Sequence, residues 1–110
     1  MKIKTTLWFD KQLKQLAKKH ASIPADYRAF LESIDANPTQ GTPIRRGAFK
    51  IRMAITSKGK GKSGGSRVIT YIRNELDTIY LIDIYDKAER ENIPDEDLDA
   101  FVDYIDKLTE

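Results

Sequence analysis

Three cations on two adjoining stretches of this 110-residue chain carry its clearest chemical signal. Lys50 and Arg52 stand two positions apart in Phe49-Lys50-Ile51-Arg52-Met53. In an extended strand that spacing sends both side chains to one face, opposite the apolar residues. Arg67 closes the run Lys58-Gly59-Lys60-Gly61-Lys62-Ser63-Gly64-Gly65-Ser66. A hairpin joining the two stretches would gather Lys50, Arg52 and Arg67 on one exposed sheet face. Like charges so close repel, and an anionic ligand would relieve them; the plain alternative is a solvated face beside a lysine-glycine loop. The surrounding charge favours the ligand. From Ala36 to Asn74 the chain has nine Lys or Arg and no acid, whereas Glu75 to Glu110 has thirteen acids and three bases. A formal net charge of +2 hides this division. Concentrated positive charge suits a polyanion, because it attracts phosphates and releases their counterions.

Other chemistry is thinly represented. Gly61-Lys62-Ser63 ends like a nucleotide-binding loop, but Thr56 occupies the place of the first glycine, and a strand rather than a helix should follow. Gly64-Gly65 could instead turn backbone N–H groups toward a phosphate. His20 is the sole histidine and falls on the apolar side of a helical pattern, where packing is the expected role. No cysteine is present, so disulfides, thiolate metal sites and cysteine nucleophiles are excluded. Asp95, Glu96, Asp97, Asp99, Asp103 and Asp106 avoid the apolar positions of the last helix and read as its solvated side. The segment Tyr85-Asp86-Lys87-Ala88-Glu89-Arg90-Glu91-Asn92 has two readings. It places Tyr85 and Lys87 at the edge of the basic face, or it begins a helix capped by Asp86.

The elements that must position these residues follow from periodicity. Residues 2–8 suit a first strand, and Asp10 a helix N-cap, with the helix running to about His20. Ser22 and Pro24 announce a second helix carrying Tyr27, Phe30, Leu31 and Ile34 at amphipathic spacing. A breaker-rich loop from Asn37 to Pro43 precedes three strands: Phe49 to Thr56, Ser66 to Arg73, and Thr78 to Tyr85, the last apolar enough to be buried on both faces. Asn74 to Asp77 forms a hairpin turn. Pro94 opens a final helix with its apolar stripe on Leu98, Phe101, Val102, Ile105 and Leu108. The order β-α-α-β-β-β-α predicts one α+β domain over residues 1–110, a small, mostly antiparallel sheet with helices packed on one face. No apolar run reaches the length of a membrane span, and the N-terminus lacks a signal-peptide stretch, so a cytoplasmic protein without membrane contact is expected.

In combination, Gly47-Ala48-Phe49-Lys50-Ile51-Arg52, Gly59-Lys60-Gly61-Lys62-Ser63-Gly64-Gly65-Ser66-Arg67-Val68-Ile69 and Tyr85-Asp86-Lys87-Ala88-Glu89-Arg90-Glu91-Asn92-Ile93 resemble the RelE/ParE superfamily of bacterial type II toxins, most closely its HigB-like branch. The resemblance implies a RelE-like fold and a ribosome-dependent mRNA endonuclease that needs no metal or other cofactor. It also implies a cognate antitoxin, expected to be of helix-turn-helix type, with operator DNA bound only through the antitoxin complex. Carried onto this chain, Arg67 holds the scissile phosphate, Lys50 and Arg52 stabilise charge or move protons, and Lys87 is a further cation, with Glu89 and Arg90 as weaker candidates. Tyr85 stands in for a C-terminal tyrosine, since Pro94 occupies the neighbourhood where one would fall. Lys58, Lys60, Lys62, Arg45, Arg46, Arg73 and Arg90 are assigned to RNA contacts. A histidine that some relatives use has no counterpart here. Two other functions remain open at this stage: a ParE-like inhibitor of DNA gyrase, and a basic RNA-binding module without catalysis.

Overall fold

A computed structural model describes residues 1–58 and 64–110. The elements are β1 (Lys2–Thr5), α1 (Leu7–Lys19), α2 (Ile23–Ala36), β2 (Thr42–Pro43), β3 (Ala48–Met53), β4 (Ser66–Arg73), β5 (Thr78–Asp86) and α3 (Asp95–Thr109). The five strands lie in the order β1-β5-β4-β3-β2. Among the described residues only β1 pairs in parallel, Lys2 opposite Thr78 through Thr5 opposite Leu81; the other pairings are antiparallel. This is the expected α+β class, enlarged by the two-residue β2.

Several element ends differ from the sequence expectation for local reasons. The first strand stops at Thr5 because Thr6 caps α1, its hydroxyl accepting from the Phe9 N–H at 3.0 Å. Asp10 therefore lies inside the helix. Arg46 and Gly47 turn the chain between β2 and β3, both at positive φ, as a tight two-residue hairpin requires. Residues 87–89 form a turn and not a helix: the Asp86 carboxylate accepts from the Ala88 N–H at 2.9 Å.

The helices do not share one face of the sheet. α1 and α2 cover one side, where Phe9, Leu16, Phe30 and Ile34 pack on Ile51, Met53, Val68, Ile79 and Leu81. α3 covers part of the other, setting Leu98, Val102 and Ile105 against Ile69, Tyr71, Tyr80 and Ile82. The cause is in β4 and β5. Both carry apolar side chains in both directions, so a helix layer on one side alone would leave Ile69, Tyr80 and Ile82 in water.

A bulge in β5 then decides which residues look toward α3. Ile69 is opposite Asp83 but Thr70 is opposite Leu81, so Ile82 is an extra residue. Tyr80, Ile82 and Tyr85 all belong to the α3-side cluster although their numbering changes parity. Without the bulge, Tyr85 would face α1 and α2.

Candidate functional site

The α3-side face of the sheet has a covered end and an open end. At the open end, Arg52 pairs with Arg67 across β3 and β4, and Arg67 pairs with Tyr85 across β4 and β5. The row Arg52–Arg67–Tyr85 thus crosses three adjacent strands. Lys50 and Ile69 form the next row. The gathering of Lys50, Arg52 and Arg67 expected from strand alternation is what the register produces.

Their surroundings are poor in acid. Arg52 is exposed, and Arg67 and Lys50 are half-buried. Among the described residues, no carboxylate lies within ion-pair distance of any of the three. Arg67 donates one nitrogen to the carbonyls of Ser66 at 3.1 Å and Gly64 at 3.3 Å, which fixes the guanidinium while its other N–H groups keep no acceptor among the described residues. Lys50 donates to the Asn92 side-chain oxygen at 2.9 Å, a contact the sequence did not suggest. Lys87 is half-buried, and its backbone N–H ties the end of β5 to the Gly65 carbonyl at 3.0 Å. Gly65 itself sits at φ +86°, where an added Cβ would meet the Met53 carbonyl oxygen at 2.8 Å, so the approach to Arg67 demands glycine.

Tyr85 departs from its expected role. It is buried, its hydroxyl donates to the Glu91 carbonyl at 3.3 Å, and the Arg90 guanidinium lies over its ring at 4.5 Å. Burial pushes the phenol pKa upward, Arg90 and Arg67 pull it down, and Asp83 raises it again; the net direction is up. A buried phenol already donating its proton to a carbonyl supports Arg90 from below and is poorly placed to exchange a proton with a bound substrate. Arg90 is held in turn by Asp83 at 3.0 Å, whose other oxygen accepts from the Trp8 indole at 2.9 Å. Burial raises the Asp83 pKa more than Arg90 and Trp8 lower it.

Among the other cations assigned to RNA, Arg45, Arg46, Arg73 and Lys58 are otherwise engaged. Arg45 meets Asp95 at 3.1 Å and Asp99 at 3.2 Å; Arg46 meets Asp103 at 2.6 Å and Asp99 at 3.3 Å. Arg73 meets Glu75, and Asp106 at 2.8 Å. The α3 carboxylates lie on the exposed side that the sequence suggested, and from there Asp95, Asp99, Asp103 and Asp106 also fasten the helix to the arginines of the β2–β3 turn and β4. Lys58 is also claimed: its ammonium donates to both oxygens of buried Asp86, at 2.9 and 3.1 Å. His20, expected to pack on apolar residues, ends α1 with its Nε2 3.5 Å from the same carboxylate. Burial acts to raise the Asp86 pKa, but the Lys58 and Ala88 hydrogen bonds and the nearby charges outweigh it and leave it lowered. Lys60 and Lys62 lie outside the described residues.

Asp86 and Asn92 are the residues that sequence reasoning undervalued. Asp86 secures Lys58 at the start of the lysine-glycine run, and its strand partner Ser66 follows the run's end. The available signal for Asp86 was an acid at the end of a mostly apolar strand. Among the described residues, no three His, Asp or Glu side chains converge as a metal site would require, and no helix is long and apolar enough to cross a membrane.

Arranged this way, the open end can offer a phosphate two arginines that are cross-strand partners, with a lysine in the next row. A family model described as "RelE toxin of RelE / RelB toxin-antitoxin system" matches residues 1–110. Among solved structures, the chain is similar to a metal-bound toxin from Helicobacter pylori at 18% identity and a TM-score of 0.47, over 82% of this chain and 98% of that one.

Proposed function

We propose that this chain, which belongs to the RelE toxin family of toxin–antitoxin systems, is a single-domain endoribonuclease of the HigB-like branch that cuts mRNA on the ribosome. Its partner is an antitoxin, as membership of that family implies; a helix-turn-helix protein that carries the complex to operator DNA is the form we favour. The cytoplasm, where ribosomes are, is the compartment this reading requires.

One observation carries the proposal: the row Arg52–Arg67 with Lys50 beside it, unanswered by acids among the described residues. In the reaction we favour, the ribose 2′-oxygen attacks the adjacent phosphorus, the bond to the 5′-oxygen breaks, and a 2′,3′-cyclic phosphate forms. The nucleophile belongs to the substrate. The protein must grip the phosphate, stabilise the extra negative charge of the pentavalent transition state, take the 2′-OH proton and protonate the departing oxygen. Arg67 and Arg52, on adjacent strands, suit the first two tasks, because preorganised cations need no reorientation as charge develops. Lys50, held by Asn92, and Lys87, at the end of β5, are the nearby groups suited to proton transfer. Such transfer contributes roughly 10²- to 10⁴-fold.

The test is to express the chain from a tightly controlled promoter and map transcript 5′ ends with and without translation. New ends inside translated codons, lost in Arg67→Ala, are expected. DNA breaks with intact transcripts would replace the proposal by gyrase inhibition, and neither effect would leave a binding module without catalysis.

A further inference from the structure

We infer that Asn92 is a positioning residue of the nuclease: its side-chain oxygen fixes the Lys50 amine beside the row Arg52–Arg67, and Tyr85 steadies Asn92 through the backbone. The inference rests on the endoribonuclease reading and deepens it, naming residues outside the cation cluster that set the geometry of proton transfer.

Lys50 is the member of the cluster with most reason to stray. A flexible four-carbon stem carries its ammonium, and Arg52 and Arg67, in the next row, repel it. Asp95 would attract it. That carboxylate lines the same cavity of about 330 Å³, together with Ile44, Lys50, Asn92, Pro94 and Leu98. Asp95 is instead matched to Arg45 at 3.1 Å, and the Lys50 ammonium donates to the Asn92 side-chain oxygen at 2.9 Å. Among the described residues this is the only hydrogen bond of the Lys50 side chain. The amine is thus held at one point, at the wall of an open cavity, with its other N–H groups available to a substrate.

The chemistry of the acceptor fits that task. An amide oxygen takes one ammonium proton and has no net charge, so the lysine keeps its full positive charge for a phosphate. A carboxylate in the same place would hold the ammonium too, but it would cancel the charge and tighten the proton. Asparagine positions without neutralising.

Asn92 is exposed, and an exposed side chain can aim another only if its own backbone is held. Its neighbours on both sides are. The Tyr85 hydroxyl donates to the Glu91 carbonyl at 3.3 Å. Ile93 is buried in the cluster that includes Ile69, Tyr85 and Leu98. Pro94 then fixes its own φ and restricts Ile93 before α3 starts at Asp95. Tyr85 so gains a function although it is poorly placed to move a proton. It pairs with Arg67 across β4 and β5, so one strand steadies both the phosphate grip and the amine.

The test is cleavage of a defined message on purified ribosomes, under single turnover, with the full chain at varied concentration. Asn92→Ala should lower the maximal rate roughly 10- to 10²-fold, the scale of a misplaced reacting group. Its half-saturating concentration should change less than about threefold, since the lost interaction acts in the transition state. The melting curve should stay in place. Tyr85→Phe removes only the hydroxyl and should lower the rate in the same way, by less. Asn92→Asp should keep the contact and still cut slowly, because it neutralises the amine. In a Lys50→Ala background, Asn92→Ala should cost nothing more, because the residue acts through Lys50 alone. A plain surface hydrogen bond would predict none of this. Losses that multiply in the double variant would make Asn92 an independent contact and overturn the inference, as would Lys50→Ala cutting at the wild-type rate. If Asn92→Ala cuts like wild type while Arg67→Ala is inactive, the inference falls and the nuclease reading stands. A message left intact by the wild-type chain would overturn both.

Discussion

The two ends of the α3-side sheet face have nearly the same strand chemistry and opposite electrostatic fates. At the covered end, Arg45, Arg46 and Arg73 are met by Asp95, Asp99, Asp103 and Asp106 from α3. At the open end, Arg52, Arg67 and Lys50 have no such answer among the described residues, and Arg52 faces Arg67 directly. An arginine is thus a structural fastener where a helix brings acids to it and a candidate ligand holder where the helix stops short. The residue type does not distinguish the two; the reach of α3 does.

Placing an acid at the open end should break the comparison most severely. Arg52→Glu is expected to cut RNA cleavage by roughly 10²- to 10³-fold, the scale of losing one preorganised charge stabiliser. It should also raise the melting temperature at low salt, because it turns a like-charge cross-strand pair into an opposite one. Cleavage at the wild-type rate would remove Arg52 from the site.

The Asp86 anchor comes next. Asp86→Asn removes the charge that holds Lys58, at an expected cost on the order of 2 kcal/mol, measurable by chemical denaturation. The sign with pH follows from the lowered carboxyl pKa. The stabilisation is present above the ordinary aspartate value near 4 and is lost as pH falls through the folded value. Wild type should therefore lose stability on acidification more steeply than the variant. Equal acid profiles would show that the pair contributes little.

At the covered end, Tyr71 donates to Asp106 at 2.5 Å, and burial with the neighbouring carboxylate raises its pKa from 10.0 to about 12. The folded state then holds the phenolic proton more tightly than the unfolded chain. Its stabilisation is complete below pH 10 and disappears as pH rises toward about 12. Melting temperatures of wild type and Tyr71→Phe should converge through that window. A constant difference would assign the tyrosine's role to packing.

The smallest effect should come from a single surface fastener. Arg46→Ala is expected to lower stability only slightly at low salt and not measurably in concentrated salt, with cleavage unchanged. A large loss of cleavage would instead make the covered arginines part of the RNA path, as the sequence alone allowed.

Much of the site was legible before folding. Strand alternation put Lys50 and Arg52 together, and the glycine-rich run brought Arg67 back beside them, because a pleated strand has a fixed period and a short loop limits where the next strand can pair. The helices were legible for a similar reason: Leu98, Val102 and Ile105 repeat at the period of the α-helix. Sequence proximity gave no such rule for the acids. Asp103 and Arg46 are 57 residues apart, and nothing local couples them.

By itself, then, the sequence determined the main helices and the longer strands, the α+β class and the clustering of three cations, all of which follow from short-range periodicity. Tertiary structure decided which side of the sheet each helix covers, that a bulge at Ile82 turns Tyr85 toward Arg67, and which arginines are neutralised. These depend on where α3 docks and how far it reaches. Docking is set by apolar burial across the whole sheet, while pairing of charges depends on distances of a few ångströms that only the packed chain defines.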